Sequence, residues 1–256
     1  MAAALARFRI LSFDCYGTLI DWEEGIARAL AGFAARHGLD REALLALFAR
    51  HETRQQQETP HLRYPDLLAR VLARMTADLG SRVDAAEARA FGASVGEWPP
   101  FPDSPPALRR LARHATLVIL SNVDRASFAA SARRLGVRFH RVLTAEEIGA
   151  WKPDPRNFAA LAETVRALGF APEEHLHVAQ SLYHDIRPAA RAGMATAWID
   201  RRGGRGGGAT PEVAEAVRPD FRFESLAAFA DAYLAARAGG TGDRGATASG
   251  RPSTSR

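Results

Sequence analysis

Short apolar segments alternating with helical ones constrain this chain more than any other feature. The segments Arg9-Phe13, Thr116-Leu120, Arg141-Thr144, Leu176-Ala179 and Thr196-Ile199 are apolar or β-branched and bounded by turn or cap signals, the pattern of buried strands. Helical periodicity follows in Ser104-Arg113, Arg125-Leu135, Asn157-Leu168 and Asp185-Ala192, the last stopped by Gly193 as a C-cap. Alternation of this kind predicts an α/β fold, a doubly wound and mainly parallel sheet with helices on both faces. Such sheets place their ligands at the carboxyl ends of the strands.

Between the first two strands the pattern changes. From Trp22 to about Trp98, Leu, Ala and Phe recur at three- and four-residue spacing. This predicts an inserted helical cap over residues 22–100 and a core built from 1–21 and 101–236. The stretch Trp98-Pro99-Pro100-Phe101-Pro102 forms a stiff border between them. Residues 237–256 are rich in Gly, Ser, Thr and Arg and are expected to be a disordered tail. The glycine-rich run 203–208 lacks the strand-turn-helix setting of a phosphate loop and is expected to be a plain flexible loop.

Composition narrows the function. At 256 residues, 47% hydrophobic and 25% charged, the chain can bury a substantial core. It has no run of the roughly 20 apolar residues that span a bilayer, so no membrane association is expected. The N-terminus lacks a signal-peptide pattern, and the single cysteine, Cys15, suits a reducing compartment. A cytoplasmic protein is the expectation. The net charge of +5 comes from scattered arginines without a basic, aromatic-interleaved stripe, which argues against a nucleic-acid partner. A mild positive field suits a small anionic substrate. A homodimer is the base-rate expectation.

The chemistry centres on Asp14, in Phe13-Asp14-Cys15-Tyr16-Gly17-Thr18, at the carboxyl end of the first strand. A carboxylate there can attack an electrophilic centre and form an ester, although a strand-end aspartate can also simply cap a turn. Thr18 is placed to orient it. Ser121 and Asn122 follow the second strand and can bind an anionic group or cap the next helix. Lys152, in Trp151-Lys152-Pro153-Asp154, would keep Asp14 ionised; Asp154 reads as a helix-start residue. In Gln180-Ser181-Leu182-Tyr183-His184-Asp185, Asp185 could position a water or pair with Lys152. Ser181 is a candidate substrate contact, and His184 a candidate base.

These four pieces, in this order and each after a strand, resemble the haloacid dehalogenase superfamily of aspartate-nucleophile hydrolases. Phosphatases of that superfamily carry an aspartate two positions after the nucleophile and Gly-Asp in the fourth motif. Here the positions hold Tyr16 and Ala179-Gln180. Magnesium prefers hard anionic oxygens, so no metal and no other cofactor is expected. The Asp-x-Tyr-Gly-Thr form is similar to the L-2-haloacid dehalogenase branch. That resemblance implies hydrolytic dehalogenation of small 2-haloalkanoic acids through an aspartyl ester, giving 2-hydroxy acids, with Asp14, Thr18, Lys152 and Asp185 catalytic. Tyr16, Ser121, Asn122 and Ser181 would meet substrate. A cap arginine would receive the halide, and Arg50 is the best-placed candidate, with Arg54 one helical turn later.

The match departs from the branch at three positions: Phe158 where a tyrosine is usual, and Gln180 and Leu182 where serine and asparagine are usual. Two competing readings follow: a diverged phosphatase using magnesium and another acid such as His184, and a noncatalytic small-anion receptor.

Overall fold

The computed structural model describes residues 2–60, 62–204 and 217–240. Six strands form one parallel sheet: β1 (Ile10–Phe13), β2 (Thr116–Ser121), β3 (Arg141–Thr144), β4 (His175–Ala179), β5 (Ala195–Ile199) and β6 (Phe221–Phe223). Their order is β3-β2-β1-β4-β5-β6. The chain runs from β1 outward through β2 and β3, then returns to the other side of β1 with β4. That reversal opens a crevice at the carboxyl ends of β1, β2 and β4. Phe13 stands in register with Ile119 on one side and Val178 on the other.

Every residue of β1 and of β4 is buried. Helices on both faces cause this, which is why parallel strands read as apolar runs rather than alternating ones. The covering helices are α1 (Ala2–Leu5), α7 (Ser104–Leu111), α8 (Arg125–Leu135), α9 (Ala145–Ile148), α10 (Pro155–Ala167), α11 (Arg187–Arg191) and α12 (Leu226–Gly240). The inserted cap between β1 and β2 carries α2 (Trp22–Ala29), α3 (Ala31–His37), α4 (Arg41–Glu58), α5 (Tyr64–Asp78) and α6 (Ala85–Ala93). Helices α2, α4, α8 and α10 start at Asp21, Asp40, Asp124 and Asp154, whose carboxylates accept backbone N–H bonds from the first turn. Each such cap stabilises its helix by about 1 kcal/mol.

Four elements differ from the sequence reading. Strand β6 and helix α1 have no counterpart in it, since three and four residues are too short to show a period. The helix read as Asp185-Ala192 begins earlier, as a π-helical turn over Leu182–Ile186, and continues as α11. Helix α12 runs to Gly240, past residue 237 where the tail was read to begin. The remainder of that tail and residues 205–208 of the glycine-rich run lie outside the described residues.

An aromatic cluster joins cap to core. Tyr16 packs edge-on against Trp98 at 5.8 Å and lies 6.4 Å from Tyr64, while Trp22 meets Phe48 at 6.1 Å. Trp98 is 2% exposed and sits directly on Gly25, where an added Cβ would fall 2.2 Å from the indole. A buried indole cannot swing aside. Gly25→Ala is therefore expected to cost about 1–3 kcal/mol, the range for overpacking. It would appear as a lower denaturant midpoint at unchanged slope.

Candidate active site

Asp14 leaves β1 with its backbone N–H on Val178 O, at 3.1 Å. Gly17, at φ 90°, then turns the chain back so that Thr18 faces the carboxylate. Thr18 Oγ1 donates to Asp14 Oδ2 at 2.6 Å and accepts from the Gln180 N–H at 2.9 Å. Arg201, which belongs to none of the four motifs, anchors this turn. Its guanidinium donates to Thr18 O at 2.8 Å and to both Asp103 oxygens at 2.8 and 2.9 Å.

Lys152 supplies the cation. Asn122 holds its main chain, accepting from Lys152 N at 2.6 Å and donating to Lys152 O at 3.0 Å. The ammonium donates to Asp14 Oδ1 at 2.8 Å, Asp185 Oδ1 at 2.6 Å and Leu120 O at 3.0 Å. All three of its protons are thus used, and its side chain is 1% exposed.

A second array lies within the sheet. Asp185 Oδ1 also pairs with His177 Nε2 at 3.0 Å, His177 Nδ1 with Ser12 Oγ at 2.8 Å, and Ser12 Oγ with His175 Nε2 at 2.7 Å. An ionised carboxylate can only accept, so His177 must donate from Nε2, Ser12 must donate to Nδ1, and His175 must donate to Ser12. The donors form one directed chain ending on Asp185. Burial, then the neighbouring His177, lowers His175 to about 3 and keeps it neutral.

Charge follows burial and this wiring. Burial pushes Asp14 above the usual carboxylate range and Asp185 adds to that, while Lys152 and Thr18 oppose it. Burial also works against Asp185, but the Lys152 charge and His177 more than offset it and hold Asp185 low. Lys152 is raised because the two carboxylates outweigh its desolvation.

The cleft above this array separates the candidate residues into three groups. Asp14, Lys152 and Asp185 form its floor with Ser121, whose buried Oγ has no partner among the described residues. Tyr16, Asn122 and Ser181 border it but are engaged elsewhere. The Tyr16 hydroxyl pairs with Ser131 Oγ at 2.9 Å, and burial pushes that phenol well above its ordinary value. Asn122 serves Lys152, and Ser181 Oγ accepts from His184 N at 2.9 Å. Burial lowers His184 to about 4, leaving a neutral imidazole.

Arg50 and Arg54 form the third group, outside the cleft. Arg50 pairs with Asp78 at 2.6 Å and Arg54 with Glu58 at 2.8 Å, both on the exposed side of α4. The expectation of a cap arginine over the nucleophile is corrected by helix phase. Arg50 stands two residues from Phe48 and from Glu52, about 200° around the helix, and those two face inward. Glu52, Gln56 and Tyr64 line the cleft instead. The signal for Glu52 was available: it continues the buried stripe of Leu45 and Phe48 at helical spacing.

Phe158 is 1% exposed and meets the His177 ring edge-on at 6.1 Å, behind the floor rather than in the cleft. The donors present do not fit a magnesium ion. Lys152 already bridges Asp14 and Asp185, Tyr16 stays protonated, and Gln180 offers an amide. Among the described residues no three carboxylate, imidazole or thiolate groups converge on a metal position.

Lys152→Met would orphan two buried carboxylates. It is expected to cost about 3–5 kcal/mol at pH 7. The loss should shrink on acidification, because without the ammonium both carboxyls are raised and protonating them removes their repulsion. Chemical denaturation at pH 7 and pH 5 measures both effects.

Residues 8–193 match the haloacid dehalogenase-like hydrolase family. Over 210 residues the chain is 29% identical to a phosphoserine phosphatase of Thermus thermophilus, covering 79% of each chain. Over 204 residues it is 28% identical to an (S)-2-haloacid dehalogenase of Pseudomonas putida, covering 75% of this chain and 85% of that one. A shorter stretch of 70 residues is 49% identical to a glyceraldehyde 3-phosphate phosphatase of Methanopyrus kandleri, spanning 27% of this chain and 29% of that enzyme. Among solved structures, a defluorinating L-2-haloacid dehalogenase superposes with a TM-score of 0.71 at 25% identity, covering 89% of this chain and 95% of that one. A parallel sheet interrupted by a helical cap, an aspartate after β1 and a match over 8–193 agree: the chain belongs to the haloacid dehalogenase-like hydrolases.

Proposed function

We propose that this hydrolase converts small 2-haloalkanoic acids to 2-hydroxy acids through an ester on Asp14, without a metal. Its phosphatase and dehalogenase relatives are about equally similar in sequence, so the site must discriminate. The observation that carries the reading is the Asp14–Lys152–Asp185 array, in which an internal ammonium lies between the two carboxylates. At the two positions where the superfamily's phosphatases carry aspartates, Tyr16 and Gln180 supply neither an acid nor an anionic metal ligand.

In this reading Asp14 attacks the carbon that bears the halogen. The carbon–oxygen bond forms as the carbon–halogen bond breaks, and the halide departs with the bonding pair, inverting the carbon. Lys152 keeps Asp14 ionised despite its burial. Water then attacks the carbonyl carbon of the Asp14 ester. Asp185, ionised and fixed by Lys152 and His177, holds that water, takes its proton and returns it to the departing ester oxygen. The 2-hydroxy acid leaves, and Asp14, after losing the remaining proton to solvent, is a carboxylate again. The unpartnered Ser121 hydroxyl donates to the substrate carboxylate. Trp22 forms part of the cleft wall.

The phosphatase reading rests on the Thermus relative and requires magnesium. Halide release from the two enantiomers of 2-chloropropionate, with chelator present, separates the two. Release that persists in chelator and falls more than about 10³-fold in Asp14→Asn is expected for a covalent nucleophile. Phosphate-ester hydrolysis that needs magnesium, with no halide release, would replace this reading by the other.

A further inference from the structure

Glu52 is a buried carboxyl in the cleft wall that no step above uses. It comes from α4 of the cap, is 3% exposed, and borders the same space as Asp14, Ser121 and Lys152. Its partners are two neutral donors, Gln56 Nε2 at 2.8 Å and Tyr64 OH at 3.3 Å. Both converge on Oε1, so Oε2 is without a partner among the described residues. No basic side chain there pairs with Glu52. A buried carboxylate without a cation is costly, and such a group takes up a proton instead. Burial raises Glu52 to about 7 against the smaller opposing effects of Tyr64 and Gln56. With Oε1 accepting two hydrogen bonds, the proton belongs on Oε2.

The charges around the cleft give that proton a use. A departing anion would find Lys152 with all its N–H groups taken, His184 neutral, and Arg50 and Arg54 on the far side of α4. On the cap side the donors bordering the cleft are the indole N–H of Trp22, the Gln56 amide and the acid O–H of Glu52, and the last is by far the most acidic.

We propose that Glu52 is a catalytic residue, a carboxylic acid that donates a hydrogen bond to the leaving group while Asp14 displaces it. This rests on the 2-haloacid reading. As the carbon–halogen bond breaks, the halide takes the bonding pair and accepts the Glu52 hydrogen bond. Chloride and bromide leave without taking the proton; fluoride, the most basic, draws it furthest. The poorer the leaving group, the more the reaction depends on Glu52.

Ionisation of Glu52 would remove the donor and set a negative charge against the departing anion. Activity should therefore fall as pH rises through about 7. The other groups facing it do not produce that fall. Tyr64 on α5 and Tyr16 after β1 are raised well above 10, Lys152 is raised, His184 titrates near 4 and Asp185 is held low. Asp14 is raised, but its ionisation switches the nucleophile on and gives a rising limb.

The test compares wild type, Glu52→Gln and Glu52→Leu on 2-bromo-, 2-chloro- and 2-fluoropropionate across pH 5–9. For Glu52→Leu, kcat/KM on the chloro acid should fall by about 10²-fold, the scale of a lost proton donor, less on the bromo acid and more on the fluoro acid. Glu52→Gln keeps an N–H donor, so it should retain most activity and lose the decline above pH 7. Melting temperatures supply a readout independent of turnover. A carboxyl raised on folding stabilises most below its unfolded value and loses that contribution as pH rises through the folded one. Wild type should therefore lose stability relative to Glu52→Gln between about pH 4.5 and 7. Equal losses for all three halides in Glu52→Leu, or a flat stability difference, would overturn the role of Glu52 while leaving dehalogenation standing. A wild type that releases no halide from any of the three overturns both.

Discussion

One buried ammonium ties the sheet to the site. Lys152 bonds a carboxylate after β1, the Leu120 carbonyl within β2 and a carboxylate in the turn after β4. These acceptors meet only when the three strands are adjacent and in register, with Phe13 beside Ile119 and Val178. In a low-dielectric interior a misplaced charge of this kind would be very unfavourable. The surrounding bonds act as restraints on it: Asn122 holds the lysine backbone, Thr18 holds Asp14, and the His175–Ser12–His177 chain holds Asp185. Strand order 2-1-4 is thereby part of the chemistry as well as of the fold.

What could be read from the sequence was whatever depends on chain order. Five of the six strands showed as apolar runs because both sheet faces are covered, and Asp14, Thr18, Lys152 and Asp185 stand where those runs end. The sheet-internal relay did not show. Ser12, His175 and His177 are polar residues inside strands and resemble the outward face of an ordinary half-exposed strand, yet all three are buried. Which polar residue of a strand is buried depends on the helices above it, and no short window carries that information.

Helix α4 is a harder case. Its stripe of Leu45, Phe48, Glu52 and Gln55 could be counted off, but the sequence alone does not tell whether a glutamate on such a stripe meets solvent or a cleft. The resemblance implies an arginine there, but Arg50 lies about 200° around the helix from that stripe. A residue type borrowed from relatives cannot be placed without the helical angle, and the angle pointed to a carboxyl instead.

The positions of the acids suggest why Tyr16 can replace a carboxylate after the nucleophile. Its phenol, raised well above the ordinary value by burial, stays protonated and supplies neither a strong acid nor an anionic ligand there. Tyr16 instead turns its hydroxyl to Ser131 and its ring to Trp98 and Tyr64, joining cap and core. Glu52 enters from the cap, with neutral donors around it and no cation, and the same functional group is held protonated. Asp185 and Glu52 thus border one cleft in different protonation states below pH 7, the first ionised beside the lysine and the second neutral away from it. Environments that push carboxyl groups apart in this way assign a base and an acid without any change of side chain. The division also explains how a cleft with a single internal cation could handle an anionic leaving group: its negative charge is kept beside the lysine, and the wall that Glu52 provides remains neutral until the pH approaches 7.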